Sequence, residues 1–116
     1  MNEKIDIIRR LARKQTSALG RALQKTRAPD IAEAIVYSAP HEQRFIWQAL
    51  SSDDELASEV LASIPENALG DFLHLVPIDQ LTRLVNLIEV DDQADILDAL
   101  PEDVQAQILQ ALQEDD

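Results

Sequence analysis

Four aspartates near the carboxyl end of the chain have the spacing that points most directly to chemistry. Asp91, Asp95 and Asp98 follow one another at i, i+4 and i+7, with Asp92 beside them. On a helix this spacing places carboxylates on one face, where each like-charged pair costs roughly 0.2–0.5 kcal/mol. A divalent cation would offset the repulsion, because hard cations such as Mg²⁺ prefer carboxylate oxygens and keep much of their water. The pattern therefore predicts a weak, open Mg²⁺-binding face.

A second group of acids is a weaker candidate of the same kind, and it consists of Asp53, Asp54, Glu55 and Glu59. The competing interpretation of both groups is a solvated acidic face. Acids just after a helix start stabilise the helix by about 0.3–1 kcal/mol, since they cap free N–H groups and oppose the helix dipole. Eleven of the twenty acids in residues 28–116 stand in such positions.

Other reactive constellations are missing from the sequence. There is no cysteine and there are only two glycines, which excludes disulfides, thiolate metal sites and glycine-rich phosphate loops. His41 and His74 lack the spacing of a metal motif, and no serine lies in a nucleophile elbow. We therefore expect no enzymatic activity. Tyr37 and Trp47 are interpreted as core residues.

Charge is distributed unevenly along the 116 residues, which carry 22 acidic and 10 basic side chains for a net charge of −12. Residues 1–27 hold eight basic and two acidic groups (+6), and residues 28–116 hold two basic and twenty acidic groups (−18). The acidic total argues against nucleic-acid binding. No apolar run approaches the roughly 18 residues of a membrane span, so the chain itself is expected to be soluble.

Prolines and acidic turns divide the chain at a short period. Starts at positions 29, 40, 52, 65, 77, 90 and 101 are separated by 11 to 13 residues. Within each interval apolar residues recur at helical spacing, as with Val104, Ile108 and Leu112. Helices of two or three turns are marginal alone and need stacked neighbours. We therefore predict an all-α fold, a superhelical, α-solenoid-like stack of short antiparallel helices.

The basic segment differs from the repeats. Its apolar residues fit one long N-terminal amphipathic helix, with a candidate break near Thr16-Ser17. Such a helix would dock on the first repeats; the alternative is contact with anionic lipid or an acidic partner surface. The predicted organisation is a basic amphipathic helix at 1–27, a helical-repeat domain at 28–113, and an acidic tail or linker at 114–116.

Three segments resemble a known family. They are APDIAEA at 28–34, DDQADILDAL at 91–100 and PEDVQAQIL at 101–109. They are similar to strings of the form P-x-D-x-A-x-x-L and D-D-x-A-D-x-L-x-x-L-P in the cytosolic N-terminal domain of MgtE-type magnesium transporters. The resemblance covers about residues 28–112. The helical repeats of the flagellar rotor-switch protein are the nearest alternative.

The resemblance implies a fold and a function. In that family a superhelix of short helices precedes paired CBS domains and a transmembrane pore, in a transporter expected to be a homodimer of the inner membrane. Mg²⁺ held between acidic faces of the N-terminal and CBS domains keeps the cytosolic part compact and the channel closed. The chain is thus expected to be a cytoplasmic regulatory domain, excised or truncated from that transporter, with Mg²⁺ as its cofactor. The alternative is a helical-repeat interaction scaffold without a metal role.

Overall fold

The computed structural model describes residues 2–114, with side chains described as far as residue 113, and all regular structure in them is helical. The helices are α1 Glu3–Lys14, α2 Ala18–Gln24, α3 Ala28–Val36, α4 Pro40–Leu50, α5 Asp54–Ser63, α6 Glu66–Leu73, α7 Ile78–Val85, α8 Val90–Asp98 and α9 Glu102–Glu114. The predicted all-α fold of short helices is confirmed. The side chains of the predicted tail 114–116 lie outside the described residues.

The chain divides into two compact units. The first unit is Met1–Ile64 and contains α1 to α5, and the second unit is Pro65–Asp116 and contains α6 to α9. Both are built from helices too short to be stable in isolation, so their stability depends on packing of apolar faces. None of the helices in residues 2–114 combines the length and the apolar character that a membrane span requires.

The predicted long N-terminal helix is interrupted near the candidate break. Gln15 adopts a left-handed conformation with φ 52°, and α1 ends there. The N–H of Gln15 donates to the Ala12 carbonyl, and the N–H of Thr16 donates to the Leu11 carbonyl. Because these bonds satisfy the last carbonyls of α1, the helix terminates and α2 begins separately at Ala18. The basic segment is therefore two helices.

Helix α1 packs against α3 and α4, and α2 packs against α4. Ile5, Ile8 and Ala12 are buried, whereas Arg10 and Arg13 are exposed. These three apolar residues belong to the core of the first unit, whereas Ile7 remains 43% exposed with the charged residues of α1. Residues 3–24 are in this way part of the first unit.

The remaining core of the first unit comes from α3, α4 and α5, which contact one another pairwise. Trp47 is buried, as predicted from its helix face. Tyr37 is 53% exposed, which makes its assignment to the core wrong. It is the C-cap residue of α3, and its ring lies under the Arg9 guanidinium at 6.0 Å from the ring centroid. Its position at the helix end places it outside the packed face.

In the second unit α6 and α7 each bury three side chains, α8 buries Ile96 and the described part of α9 buries Ile108. Helix α7 packs against α9. Its buried large side chains are Leu69, Phe72, Leu73, Val76, Leu81, Leu84, Val85, Ile88, Ile96 and Ile108. His74, which the apolar pattern of α6 places within that helix, is exposed and forms its C-cap. The helical spacing of apolar residues predicted the buried faces of α6 and α7. In α9 only Ile108 of the predicted stripe is buried, and Val104 and Leu112 are half-buried. The exact end of α6 depends on local backbone bonds.

The prolines begin helices in two ways. Pro40 is the first residue of α4, where its missing N–H costs nothing. Pro65 and Pro77 instead precede α6 and α7 as N-cap residues, with φ near −60° and ψ of 148° and 145°. The fixed proline φ suits this extended cap as well as it suits the first helical turn.

A glutamine joins successive helices at three places. The Nε2 of Gln43 donates to the Ile35 carbonyl at 2.7 Å, and that of Gln105 donates to the Leu100 carbonyl at 2.9 Å. Gln93 donates to the carbonyls of both Val85 and Ile88, each at 2.8 Å. The Ile88 and Leu100 carbonyls lie just beyond the preceding helix, where intrahelical donors have run out. The Ile35 and Val85 carbonyls also accept from the backbone N–H of Ser38 and of Ile88, so there the glutamine adds a second bond.

Candidate functional site

The strongest predicted metal residues lie on α8. Asp91 and Asp92 are in its first turn, Asp95 is in its middle, and Asp98 is its last residue. The helix buries Ile96, which is only 1% exposed, and this fixes which side faces inward. Asp91, Asp95 and Asp98 are exposed, as the i, i+4, i+7 spacing predicted, and Asp92 is half-buried.

The position of each aspartate along α8 determines its electrostatic cost. Asp91 and Asp92 lie near the positive end of the helix dipole, where a carboxylate is stabilising. Asp98 lies at the negative end, where a carboxylate is unfavourable, and it also faces Asp95 three residues earlier. Half of this acidic face is therefore explained by helix formation, and the half formed by Asp95 and Asp98 is not.

The described residues do not form a closed ligand set. Nowhere in residues 2–113 do three or more Asp, Glu or His side chains converge as metal ligands. One helix face presents its carboxylates side by side, so they do not surround a common point. An ion at α8 would therefore retain much of its water or take further oxygens from another surface, which suits Mg²⁺.

The second predicted group lies at the start of α5, and one of its members has a structural role. Asp53 is the N-cap residue: its Oδ1 accepts from the Leu56 N–H at 3.1 Å. Its Oδ2 accepts from Gln24 Nε2 at 3.3 Å. Both oxygens are thus engaged within the first unit, and a cation would have to compete with these bonds.

The other members of this group differ in exposure. Asp54 is half-buried in the first turn of α5, whereas Glu55 and Glu59 are exposed. Glu55 and Glu59 stand at i and i+4, so they share a side of the helix as the carboxylates of α8 do. The pair is a smaller acidic face in the first unit.

The two units differ sharply in charge. Residues 1–64 contain nine basic and nine acidic side chains and have no net charge. Residues 65–116 contain one basic and thirteen acidic side chains, so this unit carries the whole net charge of −12. The division places the α8 face in strongly negative surroundings and the α5 group in a charge-balanced unit. This favours α8 as the cation-binding face.

Sequence analysis missed an apolar groove within the second unit. Its volume is about 540 Å³ and its lining residues are Gly70, Asp71, Leu73, His74, Val76, Ile78, Leu81, Ala99, Leu100, Pro101 and Val104. These residues come from two stretches of the chain, 70–81 and 99–104, so no local pattern identifies the groove. The only sequence signal is Gly70, a residue without a side chain in the middle of α6.

Comparison with known proteins gives one match. The family model of the MgtE intracellular N domain matches residues 26–116. The chain has no significant match among curated proteins or among solved structures. The matched region includes α3 to α9 and both acidic groups. The chain therefore belongs to the family of the MgtE intracellular N domain, a regulatory domain of magnesium transporters.

Proposed function

We propose that this chain is the cytosolic Mg²⁺-sensing domain of a magnesium transporter, and that its acidic surface closes on a CBS-domain partner when Mg²⁺ is abundant. The observation that carries the proposal is the exposed carboxylate face of α8 in a unit of net charge −12. The family match supports the transporter context, since the family is a regulatory domain of magnesium transporters.

Electrostatics explains how such a surface would sense a cation. At physiological ionic strength charges interact over about 8 Å, so a second acidic surface is repelled only on close approach. A Mg²⁺ ion between the two acidic surfaces attracts both of them, because carboxylate oxygens from both sides can coordinate it. Because α8 alone offers an open face, affinity should be weak for the isolated chain and rise when a partner completes the shell.

The same proposal assigns residues and location. Asp95 and Asp98 would bridge the ion to the partner, with Asp91 and Asp92 beside them, and the α5 group would contribute less. The domain would lie on the cytoplasmic side of an inner membrane, next to the CBS and transmembrane domains of a homodimeric transporter. The burial of Ile5, Ile8 and Ala12 in the core supports this over lipid contact, because Ile7 is the only apolar residue of α1 that remains exposed.

The experiment measures binding between the chain and the paired CBS domains of the same transporter by calorimetry. MgCl₂ is compared with NaCl at matched ionic strength, because screening alone also helps two acidic surfaces to approach. We expect Mg²⁺ to tighten binding well beyond the NaCl control. The double substitution Asp95→Asn/Asp98→Asn should abolish most of that gain.

The matched control is Glu66→Gln/Asp103→Asn, which removes the same charge from exposed positions of the second unit. It should retain the Mg²⁺ response. If both double variants lost the Mg²⁺-dependent gain in binding equally, the assignment to α8 would be contradicted. If NaCl tightened binding as much as MgCl₂, Mg²⁺ sensing itself would be contradicted.

The second candidate is a helical-repeat interaction scaffold without a metal role. The observation in its favour is that no three potential ligands converge in residues 2–113. Under this candidate the chain would bind its partner equally well in EDTA and in MgCl₂. The same calorimetric comparison therefore decides between the two candidates.

A further inference from the structure

The groove of the second unit has the form of a docking site for a side-chain cluster. Its walls are largely apolar, from Leu73, Val76, Leu81, Leu100 and Val104. Its volume of about 540 Å³ lies within the roughly 300–1,000 Å³ typical of ligand sites. The apolar lining of such a groove stays in contact with water until apolar side chains of a ligand cover it.

The wall of the groove is open to solvent at Ile78. This side chain is 44% exposed and stands at the start of α7. Gly70 leaves another part of the lining without a side chain. A Cβ built on Gly70 would meet only the Ala99 carbonyl oxygen, at 4.0 Å, so the space beside it is open.

The acidic residues around the groove indicate which kind of ligand it would bind. Asp71 lines the groove, and the exposed Asp79, Glu102 and Asp103 directly follow or flank lining residues in the sequence. Arg83 is the only basic residue in residues 65–116. Such surroundings repel acidic peptides and anionic lipid headgroups, and they attract cationic segments.

We propose that this groove binds a cationic amphipathic helix of a partner protein, with apolar side chains in the groove and Lys or Arg toward the acids around it. Helices bind apolar grooves through anchors at i, i+3 or i+4, and i+7, so two or three such side chains fill the space. This goes beyond Mg²⁺ sensing: it uses α6, α7 and α9 and needs no cation.

The test uses the whole chain and a fluorescein-labelled synthetic helix with Leu at i, i+4 and i+7 and Lys at its other exposed positions. Binding is followed by fluorescence anisotropy in EDTA. We expect saturable binding that weakens with added salt. Two variant peptides, with Glu in place of Lys and with Ser in place of Leu, should each bind at least about tenfold more weakly.

Gly70→Leu fills the groove from within and should weaken binding by about tenfold or more. The matched control is Gly20→Leu in the first unit, where a built Cβ meets nothing within 4 Å. Both changes replace a helical glycine by a better helix former, so both variants should fold. Unchanged binding by Gly70→Leu, or equal loss in Gly20→Leu, would overturn the proposal.

A second pair of variants keeps the proposal testable if Gly70→Leu does not fold. Ile78→Ser removes the exposed wall of the groove and should weaken binding, whereas Leu87→Ser removes a side chain that is 55% exposed and outside the lining. Equal effects of the two would overturn the proposal. So would equal binding of the Glu peptide or binding to phosphatidylglycerol vesicles, since either shows that charge does not select the occupant. A Mg²⁺ sensor without this groove function would still pass the calorimetric test above.

Discussion

The first and second units use the same short helices for different chemistry. The first unit has no net charge, and its basic helices α1 and α2 pack on α3 and α4. The second unit carries a charge of −12, and most of its described acids are exposed, with Asp71 in the lining of a groove. Neutral packing suits a unit whose task is stability. Concentrated negative charge is costly for stability and therefore points to a partner or a cation in the second unit.

Truncation of the two cores should give the largest effect and tests whether both units are built in the same way. Leu61 in the first unit and Leu84 in the second are fully buried. Leu61→Ala and Leu84→Ala should each lower the free energy of unfolding by about 2–5 kcal/mol. Urea denaturation measures this, with the exposed Leu87→Ala as control. A negligible loss at either buried site would show that its unit is loosely packed.

The interhelical glutamines compare the units at the next level. Gln93→Ala removes two hydrogen bonds in the second unit and takes the side-chain donor from the Ile88 carbonyl, while the Val85 carbonyl keeps the N–H of Ile88. The change should cost about 1–3 kcal/mol. Gln43→Ala removes one such bond in the first unit and should cost about 0.5–1.5 kcal/mol. Chemical denaturation of both variants measures which one loses more free energy of unfolding. A larger loss for Gln43→Ala would contradict the greater contribution assigned to the bonds of Gln93.

A third comparison concerns α5 of the first unit, whose N-cap residue makes a side-chain bond, and α8 of the second unit, whose N-cap residue makes none. Asp53 caps α5 through its side chain, so Asp53→Ala should destabilise the chain by about 0.5–2 kcal/mol, and Asp53→Asn should retain most of the stability. Glu89, the N-cap residue of α8, makes no side-chain cap bond. Glu89→Ala should therefore leave the thermal unfolding midpoint nearly unchanged. A loss of stability as large as that of Asp53→Ala would contradict this difference between the two caps.

The smallest expected effect has the opposite sign. Asp98→Asn removes a carboxylate from the negative end of α8 and from beside Asp95, and should stabilise the Mg²⁺-free chain by about 0.3–1 kcal/mol. Glu59→Gln, within α5 of the charge-balanced unit, should change stability much less. Thermal unfolding at low salt measures both, and the gain should shrink as NaCl is added. Destabilisation by Asp98→Asn would show that the carboxylate has a favourable partner.

Much of the fold could be predicted because short helices are encoded locally. The starts inferred from prolines and acids lie within two residues of the observed starts of α3 to α9. The helical spacing also predicted that Asp91, Asp95 and Asp98 share an exposed face. The break in the N-terminal helix was indicated by Thr16-Ser17, but the left-handed turn at Gln15 was not.

Features that depend on contacts between helices could not be predicted. The second bond of Asp53 comes from Gln24, far away in sequence, and the bonds of Gln93 reach back to the end of the preceding helix. Tyr37 fits an apolar pattern and yet lies outside the core, because its position at a helix end turns it toward solvent. In each case the local sequence pattern does not indicate which helix ends are in contact.

By itself the sequence determined helix type, helix starts, the family and the exposed carboxylates of α8, since each depends on residues within a few turns of one another. Only the tertiary structure decided that the chain divides after Ile64, which places the entire net charge in one unit. It also decided that residues 70–81 and 99–104 together line a groove beside Gly70. Packing between distant helices creates both features, because burial of apolar faces joins residues that no local spacing relates.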